Sequence, residues 1–209
     1  MRTHHRTLSP RIIHLAVFGA SCLAWPTAAA AASGAEDWRY GTTLNVSAGA
    51  ASASSETGPI VGGAVGWEVT PWFAVEGNGG WLNRGNGADG FAAELKALVA
   101  LTPGRAVVPF VAGGIGLYRA SFDLSRGVPP NFYRARIQAP GAPGTSVAFT
   151  DPSFVIGGGV NIFVTRHVAI RPDLEAKVAF HDQQHYVIGV FAVRAAYHFE
   201  KHPVGLSRP

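Results

Sequence analysis

Lysine is almost missing from this chain: among 209 residues only Lys96, Lys177 and Lys201 are lysines, and charged residues of all kinds make up 14%, against the roughly 25% of ordinary soluble domains. That scarcity excludes a nucleic-acid binder built on lysine-rich patches. Cysteine is scarcer still. Cys22 stands alone, so no disulfide can form within the chain and stability has to come from the fold itself. Downstream of the N-terminal region there is also no run of about 18 uninterrupted apolar residues, which excludes a helical membrane span.

What the N-terminus does hold is a secretory pattern. MRTHHRTLSPR carries Arg2, Arg6 and Arg11 with no acid, IIHLAVFGASCLAW is a short apolar core, and PTAAAAASGA offers the small residues a signal peptidase accepts. Residues 1–32 are read as a signal peptide cleaved within Ala28 to Ala32. Acylation of Cys22 is disfavoured, because Gly19 stands where a lipoprotein signal carries Leu. Without Arg2, Arg6 and Arg11 the exported chain keeps 14 Lys+Arg against 13 Asp+Glu. The near-neutral balance gives no electrostatic case for a nucleic-acid or acidic partner.

Eight segments of strand character follow, at 38–49, 59–69, 72–82, 91–101, 107–122, 153–164, 168–180 and 186–199. Their length matches the roughly 9 to 11 residues of a membrane-crossing strand better than the 5 or 6 of a soluble one. The connections alternate in length. ASASSETG, NRGNGADG and the stretch at 123–151 read as long, HDQQH as intermediate, and TP, TPGRA and TRH as tight, the alternation of an outer-membrane barrel.

The stretch VAIRPDLEAKV at 168–178 states the face pattern most clearly. Arg171, Asp173, Glu175 and Lys177 alternate with Ile170, Pro172, Leu174, Ala176 and Val178, a period of two that belongs to a strand and not to a helix. The same alternation sets Leu44 and Val46 opposite Thr43, Asn45 and Ser47, and Phe191, Val193 and Tyr197 opposite Arg194 and His198. If the strands close into a barrel, the apolar set faces lipid and the charges face inward. The inward set is Arg39, Lys96, Arg171, Lys177 and Arg194 against Glu76, Glu94, Asp173 and Glu175, nearly balanced as buried charges require. An eight-stranded barrel is only wide enough for side chains to fill, so the expected interior is a salt-bridge network instead of an open pore. Glycines in FVAGGIGLY and FVIGGGVNIF suit tight curvature beside bulky inward side chains. Trp38, Tyr40, Trp67, Trp72, Phe73, Trp81, Tyr118, Phe122, Tyr197 and Phe199 lie near strand ends and read as interfacial girdles. Pro172 removes a ladder donor in mid-strand, which calls for a bulge or an interior side chain.

The patterns VGWEVTPWFAVEGNGGWL, VPFVAGGIGLYR and FVIGGGVNIFVTRHVAIRPDLEAKV resemble the small outer-membrane β-barrel domain family, the OmpA-type transmembrane barrel and its OmpX-like relatives, over about 38–199. The resemblance implies an eight-stranded antiparallel up-and-down transmembrane β-barrel at 33–199, a short periplasmic tail at 200–209, and location in the cell outer membrane. It further implies outer-membrane lipid, lipopolysaccharide and the insertion machinery as partners of a monomer, with a non-enzymatic structural, adhesion or surface role. Tyr197 and Phe199 match the family's terminal aromatics, while Arg194 replaces the Gly expected five residues before the last of them.

His181 lacks the serine two positions on that barrel deacylases use, so no catalytic group and no cofactor is assigned. His181, Asp182 and His185 on a loop lack a clear third metal ligand. Arg126, Tyr133, Arg134 and Arg136 form a candidate extracellular-loop site for phosphates or a host surface. A narrow gated channel and a soluble barrel binding a hydrophobic ligand are the alternatives to a filled membrane barrel. Mass spectrometry of the membrane-inserted protein is expected to find its N-terminus directly after one of residues 28–32; an intact Met1 would refute the signal assignment.

Overall fold

The structure, a computed structural model, describes residues 41–53, 56–83, 87–127, 131–137, 145–165, 167–181 and 184–199. The signal at 1–32, Arg39 with Trp38 and Tyr40, Asp182 and the tail at 200–209 lie outside the described residues.

Eight strands follow one another in chain order: β1 (Thr42–Ala53), β2 (Glu56–Thr70), β3 (Phe73–Asn83), β4 (Ala88–Ala100), β5 (Val107–Asp123), β6 (Ser146–Phe163), β7 (Val168–His181) and β8 (Gln184–His198). Each pairs antiparallel with its neighbours, and β1 pairs with β8, so the sheet closes. Closure leaves no strand edge, the condition for putting a sheet into hydrocarbon, where an unpaired backbone N–H or C=O finds no water. A short helix, α1 (Asn131–Ile137), interrupts the β5–β6 connection.

Side chains alternate between the two faces along most of the strands. On β7, Ile170 and Leu174 are exposed at 45% and 64%, while Arg171, Asp173, Glu175 and Lys177 between them are buried. Leu44, Val46, Leu95, Ile115, Phe191 and Val193 are likewise exposed. The sidedness is the reverse of a soluble ligand-binding barrel, and that alternative falls. On β5 the outward apolar run spans 107–117, about 27 Å for eleven residues at ~3.3 Å rise and ~40° tilt, close to the ~25 Å band of outer-membrane barrels. The next outward residue, Arg119, donates from Nη1 to Thr150 Oγ1 on β6 at 3.2 Å.

Three expectations change. Strand reaches into the stretches ASASSETG, NRGNGADG and HDQQH from both sides: pairing runs to Ala53↔Glu56, Asn83↔Asp89 and His181↔Gln184, and only the β5–β6 connection is long. These strands continue past the apolar band, where outward positions such as Ser52, Thr57 and Asn83 have no lipid to face. Hydrophobic alternation stops there although the ladder does not. Tyr118 and Phe122 are buried inside the barrel and are not part of the outer girdle, because they share the inward parity of β5. Pro172 makes no bulge. The β6–β7 pairing goes from Gly159↔Asp173 to Ile162↔Ile170 in unchanged register and lapses opposite the proline, whose other side keeps its pairing with Val193.

Leu174 sits at the middle of the outward run of β7, so Leu174→Arg is expected to lower the unfolding free energy in phospholipid bilayers by about 2–4 kcal/mol, against about 0–1 for Ser121→Arg beyond the band. Equal costs in denaturant titration would contradict this placement of the membrane.

Candidate functional site

The inward charges meet at mid-height. Arg171 on β7 crosses to β3 and donates from Nη1 to Glu76 Oε2 at 2.8 Å and from Nη2 to Oε1 at 2.9 Å, the two-pronged geometry in which a guanidinium matches a carboxylate. Lys177 donates to Glu94 Oε1 at 2.5 Å and Oε2 at 2.7 Å, and to Glu175 Oε2 at 3.1 Å. Lys96 donates to Glu175 Oε1 at 2.5 Å. Arg194 bonds Asp173 through Nε, Glu175 Oε1 through Nη2 at 3.0 Å and Asn78 Oδ1 through Nη1 at 2.6 Å. Among the described residues the layer holds Lys96, Arg171, Lys177 and Arg194 against Glu76, Glu94, Asp173 and Glu175, all buried, and is neutral.

The sheet makes room for these side chains by placing glycine across from them. Gly114 pairs with Lys96 and Gly116 with Glu94, Gly157 with Glu175 and Gly159 with Asp173, and Gly66 with Glu76. A Cβ on Gly157 would meet the Leu174 carbonyl oxygen and lie 2.9 Å from Glu175 Cγ. The glycine runs in β5 and β6 are thus the counterpart of the charges in β4 and β7.

Sequence reading placed eight of the nine inward charges together and missed two members of the layer. Asn45 donates to Glu76 Oε2 at 3.1 Å and Asn78 to Glu76 Oε1 at 2.7 Å. Both share the inward parity of their strands, the signal that would have included them. Arg39 lies outside the described residues.

Beyond the ionic layer, at the end away from the termini, the interior is mostly aromatic and apolar, with the buried carboxylate of Asp151 opposite Tyr118. Tyr118, Phe122, Tyr186, Leu82 and Ile188 are buried there, and α1 lays two rings over them. Tyr133 stacks on Phe149 with centroids 5.3 Å apart and lies 4.9 Å from Phe122, and Phe132 stacks on Tyr186 at 5.6 Å. The proposed loop site is corrected accordingly. Tyr133 is fully buried and cannot meet an external ligand, since an aromatic ring at a barrel mouth lowers its free energy by covering apolar surface. Arg134 is exposed. Arg126 is exposed and pairs with Asp123 Oδ2 at 3.2 Å, and Asp123 also accepts from the Ser125 hydroxyl at 2.6 Å and amide at 3.0 Å, which hold its carboxyl below the usual carboxylate range. The side chain of Arg136 lies outside the described residues.

At the terminal end the layer is open. A cavity of about 340 Å³ reaches from the rim down to Arg171, with Glu68 and His198 in its wall; His198 Nδ1 lies 3.1 Å from Glu68 Oε1. Of the candidate metal residues, His185 is exposed, the side chain of His181 lies outside the described residues, and among the described residues no group of three His, Cys, Asp or Glu side chains converges.

A model of the outer membrane protein beta-barrel domain family matches residues 18–199. No curated protein sequence matches the chain significantly. Among solved structures, Neisserial surface protein A is similar at a TM-score of 0.58 and 14% identity, over 77% of this chain and 97% of that one. The N-terminal β-barrel domain of Pseudomonas aeruginosa OprF follows at 0.49 and 13%, over 74% and 97%. Ail, the attachment invasion locus protein of Yersinia pestis, follows at 0.46 and 13%, over 76% and 97%. At such identities the likeness is one of fold.

Removing one partner of the central pair should be costly. Arg171→Met is expected to lower the unfolding free energy by about 3–5 kcal/mol by taking from Glu76 its two-pronged guanidinium partner, and adding Glu76→Leu to restore most of it. Gly157→Ala should cost about 1–3 kcal/mol by overpacking. Additive losses for Arg171 and Glu76 in a double-mutant cycle would show that the two do not act as a pair.

Proposed function

The chain belongs to the outer membrane protein beta-barrel domain family, and from that premise we propose that it is a structural and surface-interaction protein of the outer membrane whose interior is closed to solutes. Its location is the outer membrane. The observation that carries the closed interior is the neutral ionic layer at mid-barrel, backed on one side by the rings that α1 lays over Phe122 and Tyr186. Two barriers of different chemistry lie in series: ions meet fixed, paired charges, and then an aromatic cluster.

The surface role rests on the β5–β6 connection. It is the one long connection among the strands, and it carries exposed Arg126 and Arg134 on the outer side of the same segment whose Phe132 and Tyr133 point inward. In this reading both termini are periplasmic, the α1 end is extracellular, the mature barrel comprises 33–199 with a periplasmic tail at 200–209, and the protein acts as a monomer inserted by the barrel-assembly machinery. Lipopolysaccharide and lipid are its immediate neighbours. No catalysis and no cofactor belong to it.

A narrow gated channel is the second reading, favoured by one feature of the ionic layer. Lys96 lies 2.5 Å from Glu175 and 3.7 Å from Glu76, and Lys177 contacts both Glu94 and Glu175. Partners within reach of exchange allow a conducting rearrangement. Even so, the layer could conduct only if α1 also withdrew.

Planar-bilayer recording on the purified protein decides between them. The closed reading expects silence from the wild type, and silence also from Glu94→Gln, which loosens the ionic layer alone. Sustained stepwise currents from the wild type would overturn the closed interior. Currents from Glu94→Gln alone would remove α1 from its role as the second barrier.

A further inference from the structure

The outer face of the barrel is interrupted once by a fixed positive charge. Among the described strand residues, Arg119 is the one arginine or lysine at an outward position. It stands where the apolar run of β5 ends: Leu117 is exposed at 54%, and Arg119 is the next outward residue. The neighbouring strands change character at the same border. Phe91, opposite Arg119 on β4, is the last outward apolar residue before Asp89, and Thr150, opposite it on β6, is the first outward polar residue after Pro152. The guanidinium therefore sits at the edge of the hydrocarbon, where a long side chain keeps its stem in the apolar layer and its head among the polar groups of lipid.

The surroundings of this charge decide which headgroup suits it. Arg119 donates from Nη1 to Thr150 Oγ1 at 3.2 Å, a neutral acceptor that orients the fork without cancelling its charge. Among the described residues it forms no ion pair. The outward carboxylate of Asp89 lies diagonally across, opposite Ser121, one step further from the apolar run. Asp123, at the tip of β5, is paired with Arg126. A cation without a counter-ion at this depth attracts anionic headgroups, and a guanidinium fork matches a phosphate through two parallel hydrogen bonds.

We propose that Arg119 and Thr150 form a docking point for a phosphorylated lipid, with a phosphomonoester of lipid A accepting from the guanidinium and its acyl chains lying along Leu117, Ile115 and Phe154, all exposed on the outer face. A phosphomonoester carries about −1.5 to −2 charges near pH 7, more than the single charge of a phosphodiester, which favours lipid A over a phospholipid. The inference rests on the orientation proposed above, with the α1 end extracellular, because lipid A occupies the outer leaflet. It adds to that reading a specific lipid site on the barrel wall, distinct from the arginines of the β5–β6 connection.

The test titrates the full mature protein, folded in detergent, with lipid A, with dephosphorylated lipid A and with phosphatidylglycerol, and counts bound lipid by native mass spectrometry. The wild type is expected to hold one lipid A about tenfold more tightly than its dephosphorylated form, as a charge-assisted hydrogen bond allows. Arg119→Gln is expected to lose that preference and Asp89→Asn to strengthen it. Arg126→Gln should leave it unchanged, because that charge is already paired with Asp123. Heat-modifiable gel mobility verifies folding, and Asp89→Asn carries the test if Arg119→Gln does not fold. A preference that survives Arg119→Gln, an equal loss in Arg126→Gln, or phosphatidylglycerol held as tightly as lipid A would overturn the site. Labelling of Ser125→Cys on intact cells by a membrane-impermeant maleimide reads the orientation separately. Labelled cells without a phosphate preference overturn the lipid site and leave the proposed orientation standing; unlabelled cells put lipid A out of reach and overturn both.

Discussion

Charge that cannot reach water must meet opposite charge, and in this barrel that requirement reaches into nearly every strand. The outward face has to be apolar because it contacts hydrocarbon, where a midplane arginine costs about 2–4 kcal/mol. The polar residues of the chain therefore accumulate inside a tube with little room for solvent. Once there, each ion is tolerable only with a partner at hydrogen-bonding distance. Arg171 with Glu76, Lys177 with Glu94, and Glu175 shared among Lys96, Lys177 and Arg194 are the solution this sequence reached. The glycines opposite these side chains and the strand register both follow from making that solution fit.

The consequence for the lumen is a division into three layers. Rings, aliphatic chains and the buried Asp151 occupy the end nearest α1, paired ions the middle, and a cavity walled in part by Leu98, Val108, Phe110 and Phe163 the end nearest the termini. The middle layer depends most on electrostatics, and the rings under α1 on packing.

Much of this was legible in the chain and some was not. Period-two alternation in 168–178 announces the orientation of β7, because a one-residue slip would turn Asp173 and Glu175 to lipid; no other register is affordable in free energy. The inward charges were legible for the same reason, and Asn45 and Asn78 would have been had parity been applied to uncharged polar residues. The strand ends at Ser52, Thr57 and Asn83 were hidden: beyond the membrane the outward face has no solvent preference to record, while backbone pairing leaves no trace in side-chain pattern. The inward turn of Phe132 and Tyr133 was hidden too. A ring in a long connection carries no period to read, and its burial depends on Phe149 and Tyr186, which reach the same place from other strands.

One feature bears on how the molecule comes into being. The bonds at the centre join residues 79, 83, 95 and 116 positions apart in the chain, so the early strands carry Glu76, Glu94 and Lys96 long before β7 and β8 exist to neutralise them. Glu76 and Lys96 face each other across β3 and β4, whereas Glu94 takes its cation from Lys177 on β7. Arg194 is the last partner along the chain, on the strand that pairs with β1, so the charge balance inside the barrel is complete only when the cylinder itself closes.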